Sequence, residues 1–400
     1  MAVAYRNGSL HLGESSPFDL ESFSGKPTPF YVYHLSGMTA RLQALQESWE
    51  KLEVFYAMKA NAHPALLRAF SARGAGADVV SLGEIRRAVE CGIAPERIIF
   101  SGVGKTREEI RRALEIGILQ INVESPGELL CVAETARALG KAAPVAFRMN
   151  PDVDSGSHPY IATGMRENKF GMGEEFLPEL ERILRHHQDS VALQGLSIHI
   201  GSQITSLQPI EDGIRKTIPV FERLRSAGHA LRTFDVGGGV GINYRALPGA
   251  PAEEFDLLHA YGKMLRGNLD RLGCRVLCEP GRVLVAGSGV LVAEVQYVKK
   301  TRHKTFVVLD TGVHHCIRPA LYGAWHGVAA LKEPAARPLL RADIVGPICE
   351  SSDVLAKDRE IPELLPGERL AVLDTGAYGM SMASNYNLQE KPAEYVVGDR

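Results

Sequence analysis

The sequence predicts a (β/α)8 TIM-like barrel joined to a C-terminal β-sandwich or β-barrel domain that also takes in the N-terminal segment. Three observations predict it. Short β-type runs alternate with amphipathic helical stretches about eight times over roughly 230 residues. No Gly-x-Gly-x-x-Gly opens a helix after the first strand, which counts against a doubly wound open sheet. After about residue 282 the helix signals give way to strand-like segments broken by turns. Residues 31–281 are therefore assigned to the barrel, and residues 1–30 with 282–400 to the β-rich domain. A chain of 400 residues is long enough for two cores.

In chain order, a Tyr-Arg-Asn-Gly turn signal within an alternating pattern opens the sequence, and a Pro-rich link through Pro27 and Pro29 follows. Phe30–Tyr33 is a short β-type run, and Ser36 is placed to cap a helix that continues to about Lys51. The barrel strands are then read near 53–58, 77–80, 97–100, 118–123, 144–149, 194–200, 232–236 and 275–279. Helical periodicity lies between them, over Ala65–Arg73, Glu84–Cys91, Glu108–Ile116, Pro126–Leu139, Glu174–His186 and Glu211–Ala227. Beyond the barrel, Val283–Val292, Ala293–Lys299, Thr305–Asp310, Arg341–Val345, Arg369–Leu373 and Glu394–Val397 read as strands. The segment from about 152 to 172, rich in Gly, Ser and charge, is where a mobile loop is expected.

Composition narrows the function classes. With 45 Lys+Arg against 47 Asp+Glu the net charge is −2, which gives no electrostatic footprint for nucleic acid or for a membrane surface. No apolar run is long enough to cross a bilayer, and the first seven residues lack the basic start and apolar stretch of a secretory signal. The six cysteines are scattered with no Cys-x-x-Cys pair, as expected of reduced thiols in a cytoplasmic protein. His314-His315-Cys316 has no second ligand cluster at zinc spacing, so no metal is expected.

The chemistry collects where barrel strands end and loops begin, the working face of this fold. Lys59 follows the first strand, and Asp78 with Ser81 marks the second. Arg148 and Asn150 end the fifth, and His199 with Ser202 ends the sixth. Gly237, Gly238 and Gly239 follow the seventh, and Glu279, Gly281 and Arg282 follow the eighth. A lysine at the end of a buried strand is costly to desolvate, and a partly deprotonated amine there can react with an aldehyde. The same lysine could equally sit at the surface where the strand emerges. The glycine triplet lets backbone N–H groups approach an anion, although such a run also serves as a plain turn. Glu279 needs a partner to stay ionised, and a protonated ring nitrogen is one; His199 can lie flat on an aromatic ring or be merely structural. An amine for an aldehyde, a phosphate cradle, a carboxylate for a pyridinium and an aromatic plate together describe a site for pyridoxal 5'-phosphate.

Motifs spread over almost the whole chain carry a resemblance. They are Tyr-Ala-Met-Lys-Ala-Asn (56–61), Phe-Ser-Gly-Val-Gly-Lys-Thr (100–106), Glu-Asn-Lys-Phe-Gly (167–171), His-Ile-Gly-Ser-Gln (199–203) and Gly-Gly-Gly-Val-Gly-Ile (237–242). Glu-Pro-Gly-Arg (279–282), Ile-Arg-Pro-Ala-Leu-Tyr-Gly-Ala (317–324), Gly-Pro-Ile-Cys-Glu-Ser-Ser-Asp (346–353) and Gly-Ala-Tyr-Gly-Met-Ser-Met-Ala-Ser-Asn-Tyr-Asn (376–387) continue the series. The chain resembles the fold-type III pyridoxal phosphate decarboxylases, and within them the branch acting on meso-2,6-diaminopimelate.

The resemblance implies that Lys59 carries the cofactor covalently, His199 stacks on its ring and Glu279 pairs with the pyridine nitrogen. Ser202, Gly237 to Gly239, Gly281, Arg282 and Tyr378 would hold the cofactor, chiefly at its phosphate. Arg282, Arg318, Tyr322, Glu350 and Tyr378 would grip the substrate's far amino-acid end. Cys349 would return a proton after carbon dioxide departs. It also implies a homodimer with shared active sites, Cys349 and Glu350 coming from the second subunit. The expected reaction is decarboxylation of meso-2,6-diaminopimelate to L-lysine, the last step of lysine biosynthesis. The alternatives are a relative acting on ornithine, arginine or a carboxynorspermidine-like substrate, or a non-catalytic cofactor-binding homologue. Residues 388–392, Leu-Gln-Glu-Lys-Pro, depart from the family's usual Ser-Arg-Pro-Arg-Pro.

Overall fold

The computed structural model describes residues 3–14, 16–154, 168–333 and 337–398. The middle of the expected loop, 155–167, lies outside the described residues. The chain divides into two compact units, one of residues 42–241 with 255–281, the other of residues 1–41, 242–254 and 282–400.

The first unit is a closed barrel of eight parallel strands in chain order: β1 (Leu52–Ala57), β2 (Gly76–Val79), β3 (Ile98–Phe100), β4 (Gln120–Val123), β5 (Ala143–Met149), β6 (Val191–Ile198), β7 (Thr233–Asp235) and β8 (Arg275–Cys278). Pairing of Val276 with Leu52 closes the ring. Every strand read from the sequence falls within two residues of an observed one at its start, except the sixth, which begins three residues earlier.

Local chemistry starts the helices where the strands stop. Ser81, Thr106 and Ser125 each accept a hydrogen bond from the backbone N–H three residues on, and Thr106 with Glu109 forms a full capping box. These caps open Leu82–Glu90, Arg107–Ile116 and Pro126–Ala138, while Pro64 opens Pro64–Ser71 at a position that needs no N–H. Ser81, read above as a polar residue of the mouth, is thus a helix cap.

Inside the barrel, Phe55 of β1, Ile99 of β3 and Leu277 of β8 form an apolar cluster. Gly76 faces Phe55: a Cβ there would come 2.5 Å from the ring, so glycine makes the room this phenyl occupies. The interior is also polar: Asp78, Asn122, Ser197 and Asp235 are buried in the second halves of their strands, and Gln120 and Thr233 at the first residues of β4 and β7. The first four, costly to bury, mark the functional end of the barrel.

The second unit is built on one long strand, Gly289–Lys300. Its first part pairs antiparallel with Phe30–His34 and with Arg369–Val372, and its second part with Thr305–Leu309. Leu339–Val345, Val354–Pro362, Val328–Ala330 and Ala393–Val397 complete an eight-stranded mixed sheet. Val3–Arg6 and Ser9–Leu12 form the hairpin its turn signal predicts. Phe30, Val32, Val290, Val292, Ala371 and Leu373 pack in the core with Val3, Leu10 and Leu12.

Two local expectations are corrected, and two elements were missed. Val283–Val285 belongs to a helical turn (Arg282–Val285) rather than a strand, because a short buried apolar run carries no period that separates the two. Ser36 lies inside the helix Leu35–Ser48, and the His34 Nδ1 accepts the Gly37 N–H in the capping role. The helix Glu254–Leu269 and the strand Val354–Pro362 went unread.

Candidate active site

At the carboxyl ends of the barrel strands a compact set of charged groups converges. Lys59 sits in the turn Met58–Ala60 directly after β1, its side chain about a third exposed. Its Nζ lies 2.5 Å from Asp78 Oδ2, on a side chain that is fully buried. The other carboxylate oxygen of Asp78, Oδ1, is buried with no hydrogen-bond partner.

Glu279 follows β8 and is buried, as is Asp235 at the end of β7. One amide joins them: Asn122 Nδ2 is 3.3 Å from Asp235 Oδ2 and 3.3 Å from Glu279 Oε1, and it also reaches Ser101 Oγ (3.1 Å) and Ser197 Oγ (3.3 Å). Asn122 is oriented in turn by Gln120 Nε2 at 2.8 Å, and Thr233 donates to Gln120 Oε1 at 2.9 Å. Burial drives both carboxyls upward in pKa, Asp235 to about 6 and Glu279 well above the usual range. For Glu279 the nearby Asp235 and Asp78 charges add to desolvation, and Lys59 opposes them. The cluster is short of positive charge.

His199, after β6, accepts the Gly238 N–H on Nδ1 at 3.1 Å. Burial, together with Arg148 and Lys59, holds its pKa well below the usual histidine value, so the ring is neutral. The glycine triplet works as a packing device. A Cβ on Gly237 would strike the Ile198 carbonyl, one on Gly238 the Glu279 carbonyl, and one on Gly239 the Gly201 carbonyl. The ends of β6, β7 and β8 can therefore approach only because no side chains intervene.

Other polar residues of the mouth are absorbed by structure. Arg148 Nη1 pairs with Glu124 Oε1 at 2.9 Å, and Glu124 also accepts the Gly102 and Gly171 N–H groups. Lys105, from the motif at 100–106, spends its amine on the Gly102 and Asn122 carbonyls and on Glu128, each at 2.7 Å. Asn150 Nδ2 bonds the Phe170 carbonyl.

The β-rich unit holds a second cluster. Arg282 Nη1 donates to the Tyr244 hydroxyl at 2.8 Å, and its guanidinium lies 4.7 Å from the centre of the Tyr378 ring. The Arg318 guanidinium lies 4.5 Å from the centre of the Tyr244 ring, with Nη1 2.7 Å from His326 Nε2. Both arginines are buried. Tyr322 ends the short helix Arg318–Tyr322. Cys349 and Glu350 stand apart, exposed in the loop after Leu339–Val345, where the Tyr386 hydroxyl donates to Glu350 Oε1 at 2.8 Å. Asp353 pins that loop by accepting the Val313 and Ile348 N–H groups, each at 2.7 Å.

The structure thus groups Lys59, Asp78 and Glu279 in the barrel, and Arg282, Arg318 and Tyr378 in the β-rich unit. Asp235, Asn122, Tyr244 and His326 were not singled out from sequence. Asp235 precedes the glycine triplet on a strand end, the one signal that could have flagged it; the others carry none. The donor set fits pyridoxal phosphate: a protonated pyridine ring supplies the positive charge Glu279 lacks, and an aldehyde suits the Lys59 amine.

The family description "Pyridoxal-dependent decarboxylase, pyridoxal binding domain" matches residues 35–286. A diaminopimelate decarboxylase of Zymomonas mobilis is 44% identical over 377 residues, covering 92% of this chain and 87% of that protein. The crystal structure of diaminopimelate decarboxylase from Helicobacter pylori complexed with L-lysine superposes with a TM-score of 0.88 at 39% identity, covering 95% of this chain and 94% of the other. The M. jannaschii enzyme, also in complex with L-lysine, gives a TM-score of 0.89 at 34% identity, covering 100% and 93%.

Proposed function

The chain belongs to the pyridoxal-dependent decarboxylases, and from that premise we propose that it converts meso-2,6-diaminopimelate to L-lysine and carbon dioxide. The observation that carries the substrate assignment is the pair of buried guanidiniums about Tyr244. Among the described residues no carboxylate pairs with Arg318, so the cluster suits a second carboxylate at the far end of the substrate.

Pyridoxal phosphate, when bound, supplies an electron sink for the pair released as the carboxylate leaves. Lys59 holds it through its amine, and Asp78 keeps that amine placed at the end of β1. Glu279, as a carboxylate, would accept a hydrogen bond from the protonated ring nitrogen and keep it charged, and neutral His199 would cover one ring face without adding charge. Ser202, the triplet Gly237 to Gly239, Gly281, Arg282 and Tyr378 serve the cofactor, chiefly its phosphate. Arg282, Arg318, Tyr322 and Tyr378 grip the far carboxylate, and Glu350 the far ammonium. The Cys349 thiol then gives its proton to the carbon that lost carbon dioxide.

Cys349 and Glu350 are exposed in the single chain, which supports a homodimer in which each active site borrows them from the partner. Among the described residues no helix is long and apolar enough to cross a membrane, and the proposed location is the cytoplasm. The test is direct: purified protein with pyridoxal phosphate should release L-lysine and carbon dioxide from meso-diaminopimelate. Release from ornithine or arginine alone would reject the substrate.

A further inference from the structure

We propose that Tyr244 and His326 are the positioning residues that set the two guanidiniums for the substrate's far carboxylate. The inference rests on the reading above and adds to it the parts that orient the grip.

Tyr244 serves both arginines at once. Its hydroxyl accepts from Arg282 Nη1 at 2.8 Å, and its ring face lies 4.5 Å from the Arg318 Cζ. The side chain is buried, so the phenol is a fixed spacer between two like charges. His326 sets the second guanidinium. Its Nδ1 is 2.7 Å from the Leu373 carbonyl and must carry the proton, which leaves Nε2 with a lone pair to accept from Arg318 Nη1 at 2.7 Å. The two rings also meet edge to face, with centroids 5.2 Å apart. Burial and the surrounding arginines hold His326 neutral, with a pKa near 3, so the acceptor persists at every working pH.

This arrangement orients without neutralising. The hydrogen-bond and ring partners shown for Arg318 are a neutral imidazole and an aromatic face, its Nε is buried without a partner, and the buried Asp374 carboxyl feels its charge without forming an ion pair with it. A carboxylate partner would consume the guanidinium's charge, whereas a phenol and an imidazole fix its plane and leave the charge for an incoming anion.

The experiment compares two competitive ligands that differ only in the far carboxylate: L-lysine, and 1,5-diaminopentane, which lacks it. In Tyr244→Phe the ring remains and the hydroxyl is lost. The expected result is about a tenfold rise in the inhibition constant of L-lysine and in KM for meso-diaminopimelate, with kcat and the diaminopentane constant within about twofold. His326→Gln, whose side-chain carbonyl can still accept from Arg318, should stay near wild type, and His326→Leu should match Tyr244→Phe. Equal weakening of both ligands, or no weakening of L-lysine, would overturn the assignment. Failure of the wild-type protein to act on meso-diaminopimelate would instead remove the reading on which it rests.

Discussion

The acid cluster of the barrel makes a prediction that needs no substrate. Asp235 is pushed to about 6 from an ordinary value of 3.8, first by burial, so the folded protein binds its proton more tightly than the unfolded chain does. The stability this contributes is fully present below about pH 3.8 and is lost as pH rises through about 6. A shift of about two units corresponds to about 3 kcal/mol in all, of which about half falls between pH 5 and pH 8. Asp235→Asn removes the titration, keeps an oxygen for the Gly237 N–H (2.9 Å in the wild type) and relieves Glu279 of a neighbouring charge. Both consequences have the same sign. Urea unfolding of the cofactor-free proteins, compared at pH 5 and pH 8, should show the variant gaining about 1–2 kcal/mol on the wild type as pH rises. Parallel pH dependence in the two proteins would refute the claim that this pair of carboxyls is held apart from its preferred charge state. Saturating pyridoxal phosphate should flatten the wild-type dependence, because a ring cation facing Glu279 stabilises the ionised cluster.

Lys59→Ala should abolish turnover and remove the covalent adduct that borohydride reduction traps in the wild type, read by intact mass. Cys349→Ala should lower kcat by about 10² or more while leaving the cofactor's visible absorbance in place, if the thiol acts, as proposed, only on the proton-return step. Asp353→Asn turns one acceptor toward a backbone N–H as a donor, at a cost of about 1–3 kcal/mol. It should loosen residues 346–353, read as faster hydrogen exchange there, and raise KM because Glu350 rides on the same loop.

The barrel was legible because its information is local. Most strands are short apolar runs, most of the following helices are announced by a Ser, Thr or Pro, and the alternation, repeated about eight times with no dinucleotide glycine signature, points to a closed parallel sheet. The β-rich unit was harder to read. The turn Arg282–Val285 and the strand beginning at Gly289 share one buried Val/Leu-rich run, and only tertiary pairing decides where helix stops. Lys59 and Glu279 stood out because a charged residue ending an apolar strand is expensive in any fold. Asn122 did not, because its work is to touch two carboxylates brought from distant β7 and β8, a convergence with no local trace.

Tyr244 shows the same limit from the other direction. In the sequence it is an ordinary tyrosine a few residues past a glycine run; in the fold it stands between two buried arginines. The two clusters are opposite in kind. The barrel buries Asp78, Asp235 and Glu279 near Lys59, whose side chain is about a third exposed, while in the β-rich unit Arg318 bonds a neutral imidazole and lies on a phenol ring. Neither is a good arrangement for stability alone, since buried charge with too little opposite charge around it is costly. The proposed function would give each the charge it is short of: a ring cation in one case and a substrate carboxylate in the other. On the proposed function, a cofactor with a protonated pyridine and a substrate with a carboxylate at its far end would supply those two charges, and binding would relieve a cost that the chain's own residues create.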